Sequence, residues 1–204
     1  MPRRGRLVVV SGPSGVGKSS VVAGVRRRTG AAFSVSVTTR PPRPGERNGV
    51  DYWFVDDETF DQMIDDGALL EWADYGGYRY GTPRTEVVRM LEAGRDVILD
   101  IENEGAKQVK RAYPDAVTIF ILPPNRAELE RRLRARGDTS PRDVERRLAI
   151  ADAQIAEAPR VYDHLVVNDD LDTAIDEIVS ILAPTPARAR RDGAPGEPRT
   201  RSTT

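Results

Sequence analysis

Cysteine is absent from this 204-residue chain, and histidine occurs only once. The absence of cysteine excludes disulfide bonds and thiolate metal sites, and it suits a reducing cytoplasm, which is the compartment we expect. Positive and negative charges nearly balance, with a formal net charge of −1 at pH 7. The chain as a whole therefore offers no excess of positive charge, and we expect no nucleic-acid partner.

Long hydrophobic runs are also absent. No apolar stretch approaches the roughly 18 residues of a membrane-spanning helix. The N-terminus is basic, but the apolar run that follows it, residues 7–10, ends at a glycine-rich loop. That run predicts a β-strand and not a signal peptide, so we expect no membrane partner.

Lysine is scarce, since only three of the 31 basic residues are lysines. One of them completes a phosphate-binding P-loop, which follows the predicted strand 7–10 and precedes a predicted helix over residues 20–28. This context of strand, loop and helix distinguishes a P-loop from a chance glycine-rich turn. The residues predicted to bind ATP here are Gly12, Pro13, Ser14, Gly15, Val16, Gly17, Lys18, Ser19 and Ser20.

The chemistry of the P-loop predicts that the protein binds a nucleoside triphosphate. The glycines let backbone N–H groups turn towards a phosphate, and the following helix adds its positive N-terminal end. We expect the Lys18 side chain to face solvent in the empty loop and to contact the transferring phosphates. The Ser19 hydroxyl is expected to ligate Mg²⁺.

Short apolar runs alternate with helical patterns along the chain, which predicts an α/β fold. Residues 97–99 and 117–122 are nearly continuous apolar runs, typical of central parallel strands covered by helices on both faces. We predict a P-loop kinase core with a central parallel sheet flanked by helices. The predicted strands are residues 7–10, 33–37, 51–55, 69–75, 78–81, 97–100, 117–122 and 165–167.

Two segments are predicted to interrupt the core, which then comprises residues 5–32, 83–125 and 148–182. Residues 33–82 contain mixed polar and apolar strands and a Gly76-Gly77 hairpin turn, so they predict an inserted mixed or antiparallel subdomain. Residues 126–147 are rich in arginine and predict a small helical lid. Residues 184–204 contain four Pro and five Arg but no large apolar residue, which predicts a disordered tail.

Helix boundaries are predicted from local signals. Thr82-Pro83 fits an N-cap and first helical position, and Gly94 would end that helix. Asn125 is predicted to cap a lid helix that ends at Gly137. Ser140 and Asp170 are predicted to cap the two helices that follow.

A second group of residues can hold a phosphate. Arg40 and Arg43 lie three residues apart in a proline-rich loop, with hydroxyl side chains and Tyr52 nearby. Arginine offers paired donors to phosphate oxygens, and the hydroxyl groups add further contacts. Taken alone, the same loop is equally consistent with incidental charge facing solvent.

Several motifs together carry a family resemblance. Over about residues 5–182 the chain resembles the guanylate kinase family, whose motifs recur here in order and spacing. The resemblance implies transfer of the γ-phosphate of ATP to GMP, giving ADP and GDP, with Mg²⁺ as cofactor and dGMP as a further acceptor, within purine nucleotide metabolism. The matching motifs are the P-loop, Ser36-Val-Thr-Thr-Arg40-Pro-Pro-Arg43-Pro-Gly-Glu46, Gly49-Val-Asp51-Tyr52, Leu70-Glu71-Trp72, Tyr80-Gly81-Thr82 and Asp100-Ile-Glu102.

The resemblance also implies roles for individual residues. The GMP phosphate would be held by Ser36, Arg40, Arg43, Tyr52 and Tyr80. The guanine base would be read by Glu71 and Thr82, with help from Glu102. Asp100 would border the GMP site and reach Mg²⁺ through water. The remaining matches are Arg132, Arg136 and Arg147, which would act with Lys18 on the triphosphate, and Asn168-Asp169, near the adenine of ATP.

Guanine chemistry supports the choice of Glu71. Guanine presents N1–H and an exocyclic amino group on one edge, and a carboxylate accepts hydrogen bonds from both, whereas adenine offers no such pair. Glu71 follows an apolar strand segment, where an unpaired charge facing water is the alternative. For Thr82 the alternative is a helix cap alone, and for the lid arginines it is an exposed helix surface.

Two rival functions share parts of this pattern. A kinase that phosphorylates a sugar phosphate would share the P-loop but lack the Glu71 and Thr82 pair. A guanylate kinase-like scaffold module that binds phosphopeptides would usually have a damaged P-loop, whereas this loop is intact. The chain departs from the family where Asn103-Glu104 replaces a segment that commonly has Gln before Gly105-Ala106, so the role of Glu104 stays open.

Overall fold

The computed structural model describes residues 3–135 and 140–183. The predicted end of the lid helix at Gly137 and the predicted tail, residues 184–204, lie outside the described residues. The elements follow in the order β1 (Leu7–Ser11), α1 (Lys18–Thr29), β2 (Ala32–Phe33), β3 (Val37–Thr38), β4 (Trp53–Phe54), α2 (Asp57–Asp65), β5 (Leu69–Tyr75), β6 (Tyr78–Pro83), α3 (Arg84–Glu92), β7 (Val97–Asp100), α4 (Asn103–Ala112), β8 (Val117–Leu122), α5 (Arg126–Arg134), α6 (Pro141–Val161), β9 (His164–Val167) and α7 (Leu171–Leu182).

The larger sheet is parallel and has the strand order β2-β7-β1-β8-β9. Strand β1 lies in the middle, where Val8 pairs with Ile98 on one side and with Val117 on the other. Helices α3, α4 and α6 pack on one face, and α1 and α7 pack on the other. Burial on both faces explains the continuous apolar runs of β7 and β8. The predicted α/β fold with a central parallel sheet is confirmed.

The smaller sheet has the strand order β4-β3-β6-β5. Its β3–β6 and β5–β6 pairs are antiparallel, and its β3–β4 pair is parallel. Gly76 and Gly77 form the β5–β6 turn with φ angles of 61° and 84°, as a tight hairpin with two left-handed residues requires. Helix α2 contributes Phe60 to the core beneath this sheet. The sheet is therefore mixed, as predicted for the inserted segment.

Three predicted strands are wrong in extent. Strand β4 comprises only Trp53–Phe54 of the predicted residues 51–55, and β6 continues from the predicted end at residue 81 to Pro83. Residues 33–37 form two strands, since Phe33 pairs with Ile98 in the larger sheet while Val37 pairs with Gly81 in the smaller one. The chain crosses from one sheet to the other between them. Helices α2 and α4 have no counterpart among the helices predicted from the sequence.

The helix caps confirm three of the four predicted starts. The side chains of Asn125, Ser140 and Asp170 each accept a hydrogen bond from a backbone N–H in the first turn of the following helix. The predicted cap at Thr82 is wrong, because β6 continues through Pro83 and α3 begins at Arg84. The Thr82 hydroxyl is instead engaged across the sheet.

Helix α6 is a single helix of 21 residues that passes without interruption through residue 147, where the predicted lid ends. Its apolar side chains Val144, Leu148 and Ala151 pack against Leu129 and Leu133 of α5. Neither α6 nor any other helix in the described ranges combines the length and the apolar character needed to span a membrane.

Candidate active site

The P-loop joins β1 to α1, and its last glycine is the N-cap of the helix. Gly17 has a φ of 95°, in the left-handed region. A Cβ atom at this position would lie 2.5 Å from Nδ2 of Asn168, so both the backbone conformation and the space require glycine. The Asn168 amide in turn donates to the Val16 carbonyl at 2.8 Å. This packing holds the loop so that the positive end of α1 borders a cavity, which also extends along the smaller sheet.

The sequence predicted that the Lys18 side chain faces solvent in the empty loop, and this prediction is wrong. Its ammonium nitrogen lies 2.7 Å from an Asp100 carboxylate oxygen and 3.8 Å from one of Glu102, and its side chain is 16% exposed. Burial acts to lower the pKa of Lys18, but attraction to the Asp100 and Glu102 carboxylates outweighs burial and raises the pKa. Parallel pairing of β1 with β7 causes this arrangement, because it brings Asp100 beside the loop that follows β1.

The proline-rich loop holds Arg40 in a fixed position. The Arg40 side chain is 8% exposed, and its Nη2 atom lies 2.9 Å from Glu46 Oε1. Its guanidinium carbon lies 5.4 Å from the centre of the Tyr52 ring, within range of a cation–π contact. Hydrogen bonding from Arg40 lowers the pKa of Glu46, so this carboxylate stays charged. Glu46 is not among the site residues predicted from the sequence.

Arg43 is organised by the same carboxylate. Its backbone N–H donates to Glu46 Oε2 at 2.7 Å, while its side chain lines the cavity. The Tyr52 and Tyr80 rings meet edge to face with their centres 5.9 Å apart. Ser36, Arg40, Arg43, Tyr52 and Tyr80, the five residues predicted to hold the GMP phosphate, all line this cavity. The segments around residues 36–43, 52 and 80 are therefore brought to one surface by β3, β4 and β6.

Glu71 and Thr82 form a buried polar pair. They lie opposite each other on β5 and β6, and the Thr82 hydroxyl donates to Glu71 Oε1 at 2.6 Å. Burial raises the pKa of Glu71 to about 7, although the hydrogen bond from Thr82 opposes that shift. A carboxylate that is 5% exposed and lines a cavity differs from the alternative considered above, an edge-strand charge facing water. It can accept hydrogen bonds from a bound ligand.

Glu102 lies between the P-loop and helix α6. One of its oxygens is 3.8 Å from the Lys18 ammonium, and the other accepts a hydrogen bond from Gln154 Nε2 at 2.9 Å. Gln154 lines the cavity, as do Arg146 and Ile150 of the same helix, although none of the three was predicted from the sequence. Nothing in the local pattern of α6 marks these positions, because only packing of α6 against α4 brings them to the site.

The lid arginines differ in position. Arg147 lines the cavity from α6. The Arg132 guanidinium donates to the backbone carbonyls of Val16 and Asn168, each at 3.2 Å, and it forms a 2.7 Å ion pair with Glu128. Arg132 thus braces the P-loop from the α5 side. Arg136 lies outside the described residues.

One cavity of about 640 Å³ joins these groups. The P-loop, with Lys18 and Ser19, lines one part of it. The smaller sheet lines another part through Arg40 and Glu71, and Arg147 lies on a third wall. Of the pair Asn168-Asp169, Asn168 is buried behind the P-loop and bonded to it. A single space therefore combines a phosphate-binding loop, a second cationic cluster and a buried carboxylate.

The Lys18 ammonium and the side-chain oxygens of Ser19 and Asp100 suit a phosphate ligand that carries Mg²⁺. Ser19 is exposed at the start of α1 and lines the cavity, as does Asp100 at the end of β7. A hydroxyl and a carboxylate are oxygen donors of the kind that Mg²⁺ prefers, and the ion usually retains waters between itself and protein. These residues therefore fit Mg²⁺, with Asp100 also paired to Lys18.

Comparison with known proteins agrees with this geometry. The family model described as guanylate kinase matches residues 4–185. The guanylate kinase of Thermus thermophilus is 51% identical over 194 residues, covering 95% of this chain and 86% of the relative. That of Thermobifida fusca is 50% identical over 179 residues, covering 87% of this chain and 91% of the relative. The crystal structure of guanylate kinase from Anaplasma phagocytophilum superimposes with a TM-score of 0.72 at 33% identity, covering 88% of this chain and 85% of that one. This chain therefore belongs to the guanylate kinase family.

Proposed function

We propose that the cavity is the site at which ATP phosphorylates GMP. It has a donor half that binds ATP, an acceptor half that binds GMP, and a lid that closes over both. As a member of the guanylate kinase family the protein is a kinase that forms ADP and GDP from ATP and GMP. One observation carries our assignment of roles, namely that the P-loop and the buried Glu71 carboxylate, which accepts a hydrogen bond from Thr82, line the same cavity. We include dGMP as a second acceptor.

The donor half consists of the P-loop and the start of α1. Residues Gly12 to Ser20 would surround the phosphates of ATP with backbone N–H groups, and the helix end would add positive charge. Asn168-Asp169 would lie near the adenine. Ser19, and Asp100 through water, would hold Mg²⁺, which supplies charge neutralisation to the phosphates when bound.

Lys18 exchanges partners in this scheme. In the structure its ammonium is paired with Asp100 at 2.7 Å. A triphosphate in the P-loop would compete for that ammonium, because a triphosphate carries several negative charges whereas the carboxylate carries one. Lys18 would then contact the transferring phosphate, and the Asp100 carboxylate would be released to accept hydrogen bonds from water.

The acceptor half consists of the smaller sheet and its loops. Arg40 and Arg43 would bind the GMP phosphate by charge-assisted hydrogen bonds, and Ser36, Tyr52 and Tyr80 would add hydroxyl donors. The phosphate of GMP is already anionic, so the scheme includes no general base. The catalytic contribution of these residues is to hold an attacking oxygen in line with the γ-phosphate.

The guanine is assigned to Glu71, Thr82 and Glu102. The Glu71 carboxylate would accept from guanine N1–H and the exocyclic amino group. The Thr82 hydroxyl has one hydrogen and donates it in a hydrogen bond to Glu71 in the structure. The hydroxyl would therefore have to rotate before it could donate to guanine O6. Glu102, at the start of α4, would supply a second acceptor for the amino group.

The lid is assigned to residues 126–147, with the core and acceptor segments as predicted from the sequence. Arg147 would contact the triphosphate from α6, together with Arg136. Arg132 would join them only by leaving the Val16 and Asn168 carbonyls to which it donates in the structure. These charges stabilise the transferring phosphoryl group, and closure excludes water that would otherwise hydrolyse ATP. We place the protein in the cytoplasm, in keeping with a chain that contains no cysteine.

A coupled assay for ADP release tests this assignment. The protein is supplied with ATP and Mg²⁺ and, in turn, GMP, AMP, CMP and UMP. We expect rapid ADP release with GMP and little with the other three. ADP release with a sugar phosphate in place of GMP would contradict the assignment of the acceptor half, as would equal rates with all four nucleotides.

A further inference from the structure

The side-chain amide of Gln108 on helix α4 forms hydrogen bonds to the backbone of strand β5. Gln108 Nε2 donates to the Trp72 carbonyl at 2.7 Å, and Gln108 Oε1 accepts from the Trp72 N–H at 3.2 Å. Strand β5 is at the edge of the smaller sheet, so within the described ranges no strand pairs with one side of its backbone. The Gln108 amide satisfies both backbone groups of Trp72 on that side, as a neighbouring strand would.

A second contact lies one helical turn earlier on the same face of α4. A Cβ atom at Gly105 would lie 2.1 Å from Glu71 Oε2, so the backbone of α4 packs directly against this carboxylate. Gly105 and Gln108 thus contact two consecutive residues of β5, Glu71 and Trp72. The position of the Glu71 carboxylate depends on where β5 packs along α4.

The same helix positions the other guanine-binding carboxylate. Glu102 is the N-cap residue of α4, and its carbonyl accepts from the Ala106 N–H. Glu71 belongs to the smaller sheet and Glu102 to the core, yet both are placed by α4. The spacing of the two carboxylates is therefore set by the contact between α4 and β5.

We propose that Gln108 is a positioning residue for guanine selectivity, which fixes the Glu71 carboxylate relative to Glu102 through the backbone of Trp72. This inference rests on the proposed guanine-reading roles of Glu71 and Glu102. Hydrogen bonds weaken steeply with distance and angle, so a small shift of β5 along α4 weakens the bonds to N1–H and the amino group together. ATP binds in the other half of the cavity and is not affected.

The test compares three variants in the full-length protein. Gln108→Met has a similar length but makes neither hydrogen bond, and Gln108→Glu keeps an acceptor for the Trp72 N–H but cannot donate to its carbonyl. Arg111→Met is the control, because Arg111 is an exposed residue of the same helix. The KM for GMP, the KM for ATP and the kcat/KM for IMP, which lacks the exocyclic amino group, are measured for each variant.

We expect Gln108→Met to raise the KM for GMP by about 5- to 100-fold, because the two hydrogen bonds from guanine to the Glu71 carboxylate would be weakened but not abolished. The KM for ATP should change by less than about twofold, and the preference for GMP over IMP in kcat/KM should fall several-fold. Gln108→Glu should act in the same direction, and Arg111→Met should match the wild type in all three quantities.

Glu71→Gln is measured in parallel to separate two kinds of failure. If Glu71→Gln lowers the GMP preference while Gln108→Met leaves both that preference and the KM for GMP unchanged, the positioning role is overturned and the role of Glu71 stands. If Glu71→Gln leaves the preference unchanged, both are overturned. A Gln108→Met protein with lower kcat and melting temperature but an unaltered KM and preference would show a merely structural role, which overturns the proposal. If Gln108→Met does not fold, Gln108→Glu is judged by the same criteria.

Discussion

The Lys18 ammonium lies 2.7 Å from the Asp100 carboxylate, so the P-loop lysine and the acid at the end of β7 form one ion pair. The sequence assigned these residues to different partners, the transferring phosphates and Mg²⁺. Their pairing means that each holds the other near the cavity wall. Under the proposed roles, a bound triphosphate would separate this ion pair before either residue reached its proposed partner.

Replacement of Lys18 tests the donor half. We expect Lys18→Ala to lower kcat by at least about 100-fold, the scale for loss of one preorganised electrostatic group. Lys107→Ala is the matched control, because Lys107 also pairs with carboxylates, Glu104 and Glu157, but does not itself line the cavity. Steady-state kinetics with saturating ATP and GMP give the comparison. A Lys18→Ala enzyme that keeps more than about half of the wild-type kcat would exclude Lys18 from contact with the transferring phosphate.

Removal of an acceptor arginine should affect the two substrates unequally. Arg40→Ala or Arg43→Ala is expected to reduce kcat/KM for GMP by about 10- to 150-fold, since a charge-assisted hydrogen bond contributes roughly 1.5–3 kcal/mol. The KM for ATP should change little. Arg47→Ala serves as control, because Arg47 is exposed in the same loop and does not line the cavity. Equal increases in the KM values of GMP and ATP would place Arg40 and Arg43 outside the acceptor site.

Features encoded within a short stretch of chain were predictable from the sequence. The P-loop follows from spacing, and β7 and β8 have the predicted bounds because their apolar runs are nearly continuous. Strand β5 also has the predicted bounds, since it ends at the Gly76-Gly77 turn. The caps at Asn125, Ser140 and Asp170 follow from local chemistry. Helix α2 also had such a signal, since Asp56 accepts from the Thr59 N–H, but it was not recognised.

Contacts between distant parts of the chain were not predictable. Gln154 reaches Glu102 across 52 positions, and Gln108 reaches Trp72 across 36. Such pairs depend on how helices pack on the sheet, and sequence periodicity contains no information on them. The Thr82 prediction failed for a related reason, because pairing with β5 extended β6 beyond a local helix-start signal.

The raised pKa of Glu71 predicts a pH dependence for the use of GMP. Burial raises this pKa to about 7, so the carboxyl group becomes protonated as the pH falls below that value. Protonation removes an acceptor for guanine, and kcat/KM for GMP should fall between pH 8 and pH 6. The phosphate of GMP also ionises near pH 6, as phosphate monoesters do. Glu71→Gln is therefore the control, and its pH profile should lack the step near pH 7. Identical profiles for the two proteins would contradict a titrating Glu71.

The same group predicts the sign of a stability change. The folded-state pKa of Glu71 lies above its ordinary value of 4.5, so its contribution to stability is fully present below pH 4.5 and is lost as the pH rises through about 7. The shift corresponds to about 3 kcal/mol at most. Glu71→Gln should therefore lose less stability than the wild type between pH 5 and pH 8 in urea denaturation. Parallel losses in the two proteins would show that Glu71 is not the group responsible.

The most direct test of guanine recognition is the ratio of kcat/KM for GMP to kcat/KM for AMP in the wild-type protein. Adenine has an acceptor at N1 and a donor amino group at position 6. With AMP bound, adenine N1 would therefore face the Glu71 carboxylate as a second acceptor, and the carboxylate would have no hydrogen-bond donor. A buried site built to bond its substrate rejects such an analogue strongly, and we predict a ratio of at least about 1,000. Glu71→Gln should reduce that ratio, mainly by impairing GMP. Comparable kcat/KM values for GMP and AMP in the wild type would contradict guanine recognition by Glu71 and Thr82.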